Sequence, residues 1–192
     1  MTRLEIVLAA IDAANSADPK SEGGAPAERL YGARMSAMLD AFRPEASELL
    51  QIAARGQHIE RWTMPRASYP MTKPGYYAWR NAAKKMHAER VGALMAEAGY
   101  AGDEIAAAQA MVRKEDLRAN PDAQTVEDVA SLVFLKHYGL DFAHGRTQAQ
   151  LVDILAKTMR KMSPEALAFA ARIDMPQAVA GLVGEAAKTL AS

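Results

Sequence analysis

Apolar residues recur at steps of three and four along almost the whole chain, and this spacing constrains the fold more than any other feature. The first segment carries them at Leu4, Val7, Leu8 and Ile11, which places these side chains on one face of a helix. No segment shows a clear strand pattern. Half of the 192 residues are hydrophobic and only 6% are aromatic, a composition that favours helices and suffices for a sizeable core. We therefore predict an all-α fold.

Start and stop signals divide the chain into eight or nine helices. Pro44 with two nearby glutamates indicates one helix start, and Ser163 with Pro164 indicates another. A turn-rich link, "SADPKSEGGAPA", follows the first helix, and a loop with three prolines occupies residues 63–74. The predicted helices cover about residues 2–15, 27–42, 44–58, 75–98, 103–114, 124–138, 147–162, 163–173 and 176–191.

Length and composition predict the domain organisation and exclude several classes of protein. We expect one helical domain over residues 1–175 and a loosely packed C-terminal helix over 176–192. The absence of cysteine excludes disulfides, thiolate zinc sites and cysteine nucleophiles. No signal peptide or membrane span is visible, because the apolar run "IVLAAIDAA" is too short and contains an aspartate. We expect a cytoplasmic protein without a membrane partner.

Charge is unevenly distributed, although the formal net charge is zero. The zero total argues against a general nucleic-acid binder. Residues 58–90 nevertheless hold seven basic and two acidic side chains, so this segment carries about five net positive charges. Its arginines lie beside aromatic residues and prolines, which favours an anion-binding site, whereas a solvated basic helix face is the alternative. The basic residues are Arg61, Arg66, Lys73, Arg80, Lys84, Lys85 and Arg90.

Metal-capable side chains are the remaining chemical signal, because no phosphate-binding glycine loop, dinucleotide fingerprint, nucleophile elbow or zinc-protease motif is present. His58 and His87 lie on separate predicted helices, and Glu127 and Asp128 begin a third. Two imidazoles with carboxylates from other helices predict a divalent metal site. The alternative is that the histidines are only core or surface residues, and that the two acids only interact favourably with the dipole of their helix.

Four segments together identify a family resemblance that covers about residues 4–173. They are "GQHIERWTMPRASYPM", "GYYAWRNAAKKMHAE", "QTVEDVASLVFLKHY" and "ILAKTMRKMSP". In this order they resemble the family catalogued as domain of unknown function 4202. That family implies no established activity.

The helix order is also more distantly similar to the HD-domain metal-dependent phosphohydrolases, which implies an HD-like bundle. The His-Asp doublet of that superfamily falls on Gln57 and His58, its next-helix histidine on His87 and its final aspartate on Asp128. The early histidine falls near Arg34, where this chain departs from the pattern. The resemblance implies one Mn, Fe, Zn, Ni or Mg ion held by the two histidines and the aspartate. An HD-like fold that has lost its metal, or one that uses a redox metal, is an alternative.

The first functional hypothesis is a metal-dependent hydrolase that acts on a phosphorylated small molecule or nucleotide. A metal-bound water would be the nucleophile, and Glu127 or Glu89 would be the general base. Arginine and lysine side chains would hold the phosphate, and aromatic side chains would form the walls of the pocket. The residues expected to bind the substrate are Gln57, Arg61, Arg66, Tyr69, Trp79, Arg80, Lys84 and Arg34.

The second functional hypothesis is a non-enzymatic protein that binds an anionic ligand at the same basic, aromatic segment. Phosphate contacts and aromatic stacking would suffice for RNA as well, although the zero net charge makes RNA the less favoured ligand. This hypothesis predicts salt-sensitive binding that chelators do not affect. A third hypothesis assigns the histidines and the segment to structure alone.

Overall fold

The computed structural model describes residues 1–191, which contain ten α-helices and one short antiparallel hairpin. The all-α prediction is confirmed, and the HD-like arrangement of the helices stays a prediction. The helices are Arg3–Asn15 (α1), Ala27–Phe42 (α2), Glu48–Gly56 (α3), Lys73–Glu97 (α4), Gly102–Arg113 (α5), Pro121–Val133 (α6), Gly139–Ala143 (α7), Gln148–Met159 (α8), Pro164–Ala170 (α9) and Gln177–Ala191 (α10).

The shorter elements are a hairpin, two 3₁₀ turns and one π-helical segment. The hairpin strands are Ser21–Glu22 (β1) and Ala25–Pro26 (β2). The 3₁₀ turns are Arg61–Thr63 and Arg66–Ser68, and the π-helical segment is Phe134–Tyr138.

Two compact units make up the chain, and their boundary falls within α6. The first is Met1–Val126, and the second begins at Glu127. In the first unit α4 packs along α5, and α3 contacts each of α1, α2, α4 and α5. In the second unit α10 packs against α8 and α7. The division predicted at residue 175 stays a prediction.

Helix α3 can contact four neighbours because the side chains that it buries are small or aliphatic. Ile52, Ala53 and Ala54 are completely buried. At its last residue, Gly56, an added Cβ would lie 2.4 Å from Cγ2 of Val91 on α4. The absence of a side chain therefore allows the end of α3 to approach α4 closely, just before the segment that contains His58.

Capping side chains explain why two of the predicted helix starts fail. The bounds of α2 are those predicted. The predicted start of α3 at Pro44 is wrong, because the Ser47 hydroxyl accepts a hydrogen bond from the backbone N–H of Leu50 and caps the helix three residues later. Helix α6 begins three residues earlier than predicted, since Asn120 Oδ1 accepts from the N–H of Ala123.

The turn-rich link between α1 and α2 contains the hairpin, which the sequence did not indicate. Its turn is Gly23–Gly24, and both glycines have positive φ, 57° and 83°. Such a two-residue turn matches the twist of paired strands, and glycine adopts it without steric cost. Each strand has only two residues, so no alternating pattern could reveal it.

Close packing also characterises the second unit. Val179 of α10 is 1% exposed, and its Cγ1 lies 3.0 Å from where a Cβ on Gly139 would be. Helix α6 continues from the first unit into the second and buries Val129, Leu132 and Val133 completely. Within residues 1–191, no helix combines the length and the apolar character that crossing a membrane requires.

The start of α4 yields a test of the loop packing. Thr72 caps the helix at Gly75, where an added Cβ would lie 2.1 Å from the backbone oxygen of Pro70. We expect Gly75→Ala to lower the free energy of unfolding by about 1–3 kcal/mol, because the loop must move away from the helix. Urea unfolding followed by circular dichroism measures this change.

The matched control is Gly102→Ala at the first residue of α5, where no atom lies within 4 Å of an added Cβ. Alanine forms helices more readily than glycine, so this variant should be as stable as the wild type or slightly more stable. Equal stability of the Gly75 variant and the wild type would contradict the close contact.

Candidate functional site

Two of the three predicted metal ligands lie together in the first unit. The His58 ring stacks on Tyr31 of α2, with ring centroids 4.2 Å apart and planes 13° from parallel. The His87 ring, from the middle of α4, has its centroid 5.9 Å from that of His58. Glu28 and Arg61 also approach His58. We call the cluster of Glu28, Tyr31, His58, Arg61 and His87 the histidine pocket.

His87 is buried and has one defined hydrogen bond. Its side chain is only 3% exposed, and Nδ1 donates to the backbone oxygen of Ile59 at 2.7 Å. Burial lowers the pKa of His87 to about 4, and this effect outweighs the hydrogen bond to Ile59, which acts to raise it. The ring is therefore neutral at pH 7, and Nε2 carries the lone pair.

Arg61 contacts the His58 ring directly. Its Nη1 lies 2.7 Å from Nε2 and 3.2 Å from Nδ1 of His58. A guanidinium can only donate, so the ring nitrogen that it contacts accepts the hydrogen bond. Arg61 also contacts Trp79. Its guanidinium carbon lies 5.0 Å from the centroid of the Trp79 ring, within the range of a cation–π interaction.

Several positive charges act on His58. Burial holds the pKa of His58 well below its usual value, and the nearby charge of Arg61 lowers it further. Arg80 of α4 and Lys114 at the end of α5 lie near enough to lower it as well. Lys114 was not predicted from the sequence. It follows the last residue of α5 in the left-handed conformation, φ 56°, and no sequence motif marks it.

Glu28 is a second residue that the sequence did not indicate. It lies in the first turn of α2, and its side chain is 17% exposed. Its Oε2 is 3.7 Å from Nδ1 of His58, which is too long for a hydrogen bond. Burial raises the pKa of Glu28 to about 7, against the opposing charge of Arg61. At neutral pH this carboxyl group is therefore about half protonated.

Two buried polar side chains hold the backbone around the pocket. Asp18 accepts the N–H groups of Lys20 and Glu28, each at 2.9 Å. Asn15 accepts the N–H of Glu60 at 2.9 Å and donates to the carbonyl oxygen of Glu28. The end of α1 thereby fixes the start of α2 relative to the segment that follows α3.

Three of the predicted substrate-binding residues interact with other polar residues. The Gln57 side chain accepts from the Tyr31 hydroxyl at 2.7 Å and is 7% exposed. Arg34 forms an ion pair with Glu22 of the hairpin. Lys84 lies near enough to Glu115 to lower the pKa of that carboxyl group, although Arg113 has the larger effect.

Another three of these residues hold the proline-containing loop. Arg66 donates to the carbonyl oxygens of Tyr69 and Pro70 at 2.9 and 2.8 Å. The Tyr69 hydroxyl lies 3.9 Å from the sulfur of Met64, and Trp79 Nε1 donates to the Met64 carbonyl oxygen at 2.9 Å. These contacts support the loop, and the predicted binding of a ligand by these residues stays a prediction.

The carboxylates predicted to act as base or metal ligand lie in different surroundings. Glu89 is 63% exposed at its side chain and pairs with Lys85 at 3.8 Å. Glu127 and Asp128 are buried residues at the start of the second unit. Asp128 Oδ1 accepts the backbone N–H of Ser163, the capping residue of α9, at 2.8 Å. The catalytic and metal-binding roles of these three residues stay predictions.

The histidine pair alone would not complete the predicted metal site. Catalytic zinc sites commonly use three protein ligands, and His58 and His87 would provide two. Within residues 1–191, no three His, Cys, Asp or Glu side chains form a group that could hold a metal ion. Arg61 also donates to Nε2 of His58, so a metal at that nitrogen would have to displace the guanidinium. As arranged, the pocket does not fit a complete metal site, and the predicted divalent ion stays a prediction.

The buried state of His87 yields a prediction about pH. The His87 ring takes up a proton near pH 6.5 in the unfolded state, but only at about pH 4 in the folded state. The stabilisation is therefore complete above pH 6.5 and is lost as the pH falls to 4, by about 3 kcal/mol. His87→Asn keeps a donor for Ile59 and removes this titration. As the pH falls to 4, the free energy of unfolding of this variant should therefore decrease by about 3 kcal/mol less than that of the wild type.

Urea unfolding at pH 7 and pH 4 measures both differences. His144→Asn, at an exposed position of the second unit, controls for the loss of a histidine elsewhere and should behave as the wild type. The same pH dependence in the His87 variant and the wild type would show that His87 does not contribute this stabilisation.

Comparison with known proteins places the chain in a family. The model of the family described as Domain of unknown function (DUF4202) matches residues 5–183. No curated protein and no solved structure matches the chain. The similarity to HD-domain phosphohydrolases stays a prediction. Because the family model covers nearly the whole sequence, the chain belongs to the domain of unknown function 4202 family.

Proposed function

We propose that the histidine pocket binds the phosphoryl group of a phosphorylated small molecule or nucleotide. The observation that carries this proposal is the group of cationic side chains around a neutral histidine pair. Arg61 contacts His58 directly, and the charges of Arg80 and Lys114 also act on that ring. Positive charge that gathers at a partly buried site without protonating its histidines is suited to an anionic ligand.

The pocket offers hydrogen-bond donors as well as charge. The neutral His58 ring carries one N–H, and the guanidinium of Arg61 has further N–H groups beyond the one at His58. Hydrogen bonds from charged donors to phosphate are shorter and stronger than those between neutral groups. Trp79 lies against Arg61 and limits its freedom, so less entropy is lost when the ligand binds.

Binding alone requires no metal ion, and a small ligand suits the site better than RNA does. The cations converge on one partly buried ring, and the chain has zero formal net charge. General RNA binding depends instead on an extended basic surface that follows the phosphate backbone. RNA remains the less favoured ligand in this proposal.

Metal-dependent hydrolysis of the same ligand is the second candidate function. The observation that favours it is the hydrogen bond from His87 Nδ1 to Ile59, which directs the other nitrogen away from the backbone as in metal-bound histidines. Both histidines are neutral, as metal ligands must be. A divalent ion, when bound, would supply a water of lowered pKa.

Arg80 provides the test of anion binding. Among residues 1–191 it has no hydrogen bond or ion pair, so replacing it should leave the fold intact. We expect Arg80→Gln to weaken the binding of inorganic phosphate and AMP about tenfold, because a charge-assisted hydrogen bond contributes about 1.5 kcal/mol. Isothermal titration calorimetry at low ionic strength with EDTA measures both affinities.

Lys85→Gln is the matched control, because it removes one positive charge from the same helix. Its side chain is 74% exposed and pairs with Glu89, so the affinity should change less than twofold. Equal losses in the two variants, or no binding of either anion to the wild type, would contradict the proposal.

Metal content separates the two candidate functions. Plasma mass spectrometry of the wild type and of a His58→Ala, His87→Ala double variant would detect a bound ion. Near-stoichiometric metal that disappears in the double variant, with phosphate release that EDTA stops, would support hydrolysis. Absence of metal from both proteins after reconstitution with Mn, Fe, Zn, Ni and Mg would leave binding alone.

A further inference from the structure

Two exposed tyrosines at the start of α4 form a surface that the proposed binding of a phosphoryl group leaves unused. Tyr76 is 43% exposed and Tyr77 is 50% exposed. Within residues 1–191 they are the only tyrosine, tryptophan or phenylalanine residues that are exposed. Their rings meet edge to face, with centroids 5.7 Å apart. Single exposed apolar residues need no explanation, whereas adjacent aromatic side chains form a continuous patch that is typical of a binding surface.

The Tyr76 ring has open surface, because no neighbouring ring lies parallel to it. Its plane makes angles of 65° with the Tyr77 ring and 46° with the Trp79 ring. The guanidinium carbon of Arg66 lies 6.0 Å from the centroid of the Tyr76 ring, at the outer limit of a cation–π contact. Arg66 is itself held by carbonyl oxygens of its loop. The Tyr76 ring therefore has a defined position and keeps a surface on which a flat group can stack.

Contacts between side chains connect Tyr76 with the histidine pocket. The Tyr76 and Trp79 ring centroids are 5.9 Å apart, and the guanidinium carbon of Arg61 lies 5.0 Å from the Trp79 centroid. Arg61 in turn contacts His58. Arg80 follows Tyr76 by four residues on α4, so these two side chains are neighbours on one face of the helix. A ligand whose anionic end contacts Arg61 and Arg80 therefore has its other end within reach of Tyr76.

The charge of this part of the chain suits the same kind of ligand. Residues 61–88 contain six basic side chains and no aspartate or glutamate. A purely aromatic surface would suit a neutral ring, and a purely basic one would suit a simple anion. Aromatic side chains that stack on bases beside cations that contact phosphates are the combination with which proteins bind nucleotide units.

We infer that a nucleobase stacks on Tyr76 while the phosphoryl group of the same molecule occupies the histidine pocket. The ligand class of the site is then the nucleotides, and a sugar phosphate without a base would use only part of the surface. Tyr77 packs against the Tyr76 ring and limits its motion, so less entropy is lost when a base stacks. Every base has a π-face, so Tyr76 favours nucleotides over other phosphates without selecting one base. The inference rests on the proposed function.

AMP and ribose 5-phosphate are the appropriate pair of probes, because they share the sugar and the phosphate and differ in the base. Calorimetric titrations of the full chain at low ionic strength give the two dissociation constants. For the wild type we expect AMP to bind about tenfold more tightly than ribose 5-phosphate, which is the size of one base–aromatic stacking contact.

The informative variant is Tyr76→Leu, which keeps an apolar, helix-forming side chain and removes the ring. Its affinity for AMP should fall about tenfold, whereas its affinity for ribose 5-phosphate should change less than twofold. Tyr76→Phe keeps the ring and should retain the wild-type affinity for AMP. Ile6→Ala is the matched control. Ile6 is 44% exposed on α1, about nine residues or about 13 Å before Asn15, so both affinities should stay unchanged.

The possible outcomes separate the inference from the proposed function. Equal affinities of the wild type for AMP and ribose 5-phosphate would overturn the role of Tyr76 and leave the anion site in place. Loss of both ligands in Tyr76→Leu would assign Tyr76 to the support of its loop, and loss of AMP in Tyr76→Phe would assign the effect to the hydroxyl group, so either result would overturn the inference. Binding of a glutamate-rich peptide that Tyr76→Leu abolishes, with AMP affinity unchanged, would make the patch a protein-docking surface instead. No binding of AMP, ribose 5-phosphate or inorganic phosphate to the wild type would overturn both the inference and the proposed function.

Discussion

The hydrogen bond from His87 Nδ1 to the carbonyl oxygen of Ile59 joins the middle of the long helix α4 to the segment that follows α3. It can form because Gly56 has no side chain and lets the backbone of α3 approach Val91. The bond satisfies a buried carbonyl group and selects the tautomer of His87. Burial keeps the ring neutral, because a buried imidazolium would be costly, and it outweighs the opposite effect of the hydrogen bond. The position and the neutral state of His87 therefore both follow from how α4 packs against the segment after α3.

Local sequence signals suffice to predict most of the helices. They fail where two helix-start signals compete or where no signal exists. The bounds of α2 agreed with prediction because the apolar period and the flanking turn-rich segments coincide there. In "RPEASELL" both Pro44 and Ser47 can begin a helix, and only the structure shows that the Ser47 hydroxyl caps it. The π-helical segment Phe134–Tyr138 was predicted as α-helix, because it retains helix-forming, apolar residues and changes only the hydrogen-bond register.

The site was predictable in part, since the unusual residue types after α3 drew attention to His58, Arg61 and His87. Their meeting in space depends on how α3 packs against α4, which no local pattern encodes. Glu28 and Tyr31 lie one turn apart on α2 and so share a face, but that spacing is common on helices and carried no signal. For Arg66 the sequence signal is clear but has two interpretations. An arginine among prolines and aromatic residues suits either an anion or the carbonyl groups of its own loop, and in the structure it contacts the loop.

The hairpin between α1 and α2 and the residue before it place two charged residues, Glu22 and Lys20, where they act on Glu28 through space. Lys20 is exposed, and the glycine turn beside these residues has no packing partner within 4 Å of an added Cβ. Charges there can change during evolution without any rearrangement of the core. Two relatives with identical pockets but different hairpins would therefore differ in the acidity at which Glu28 ionises. A comparison of pocket residues alone would miss that difference, because the determinant lies outside the pocket.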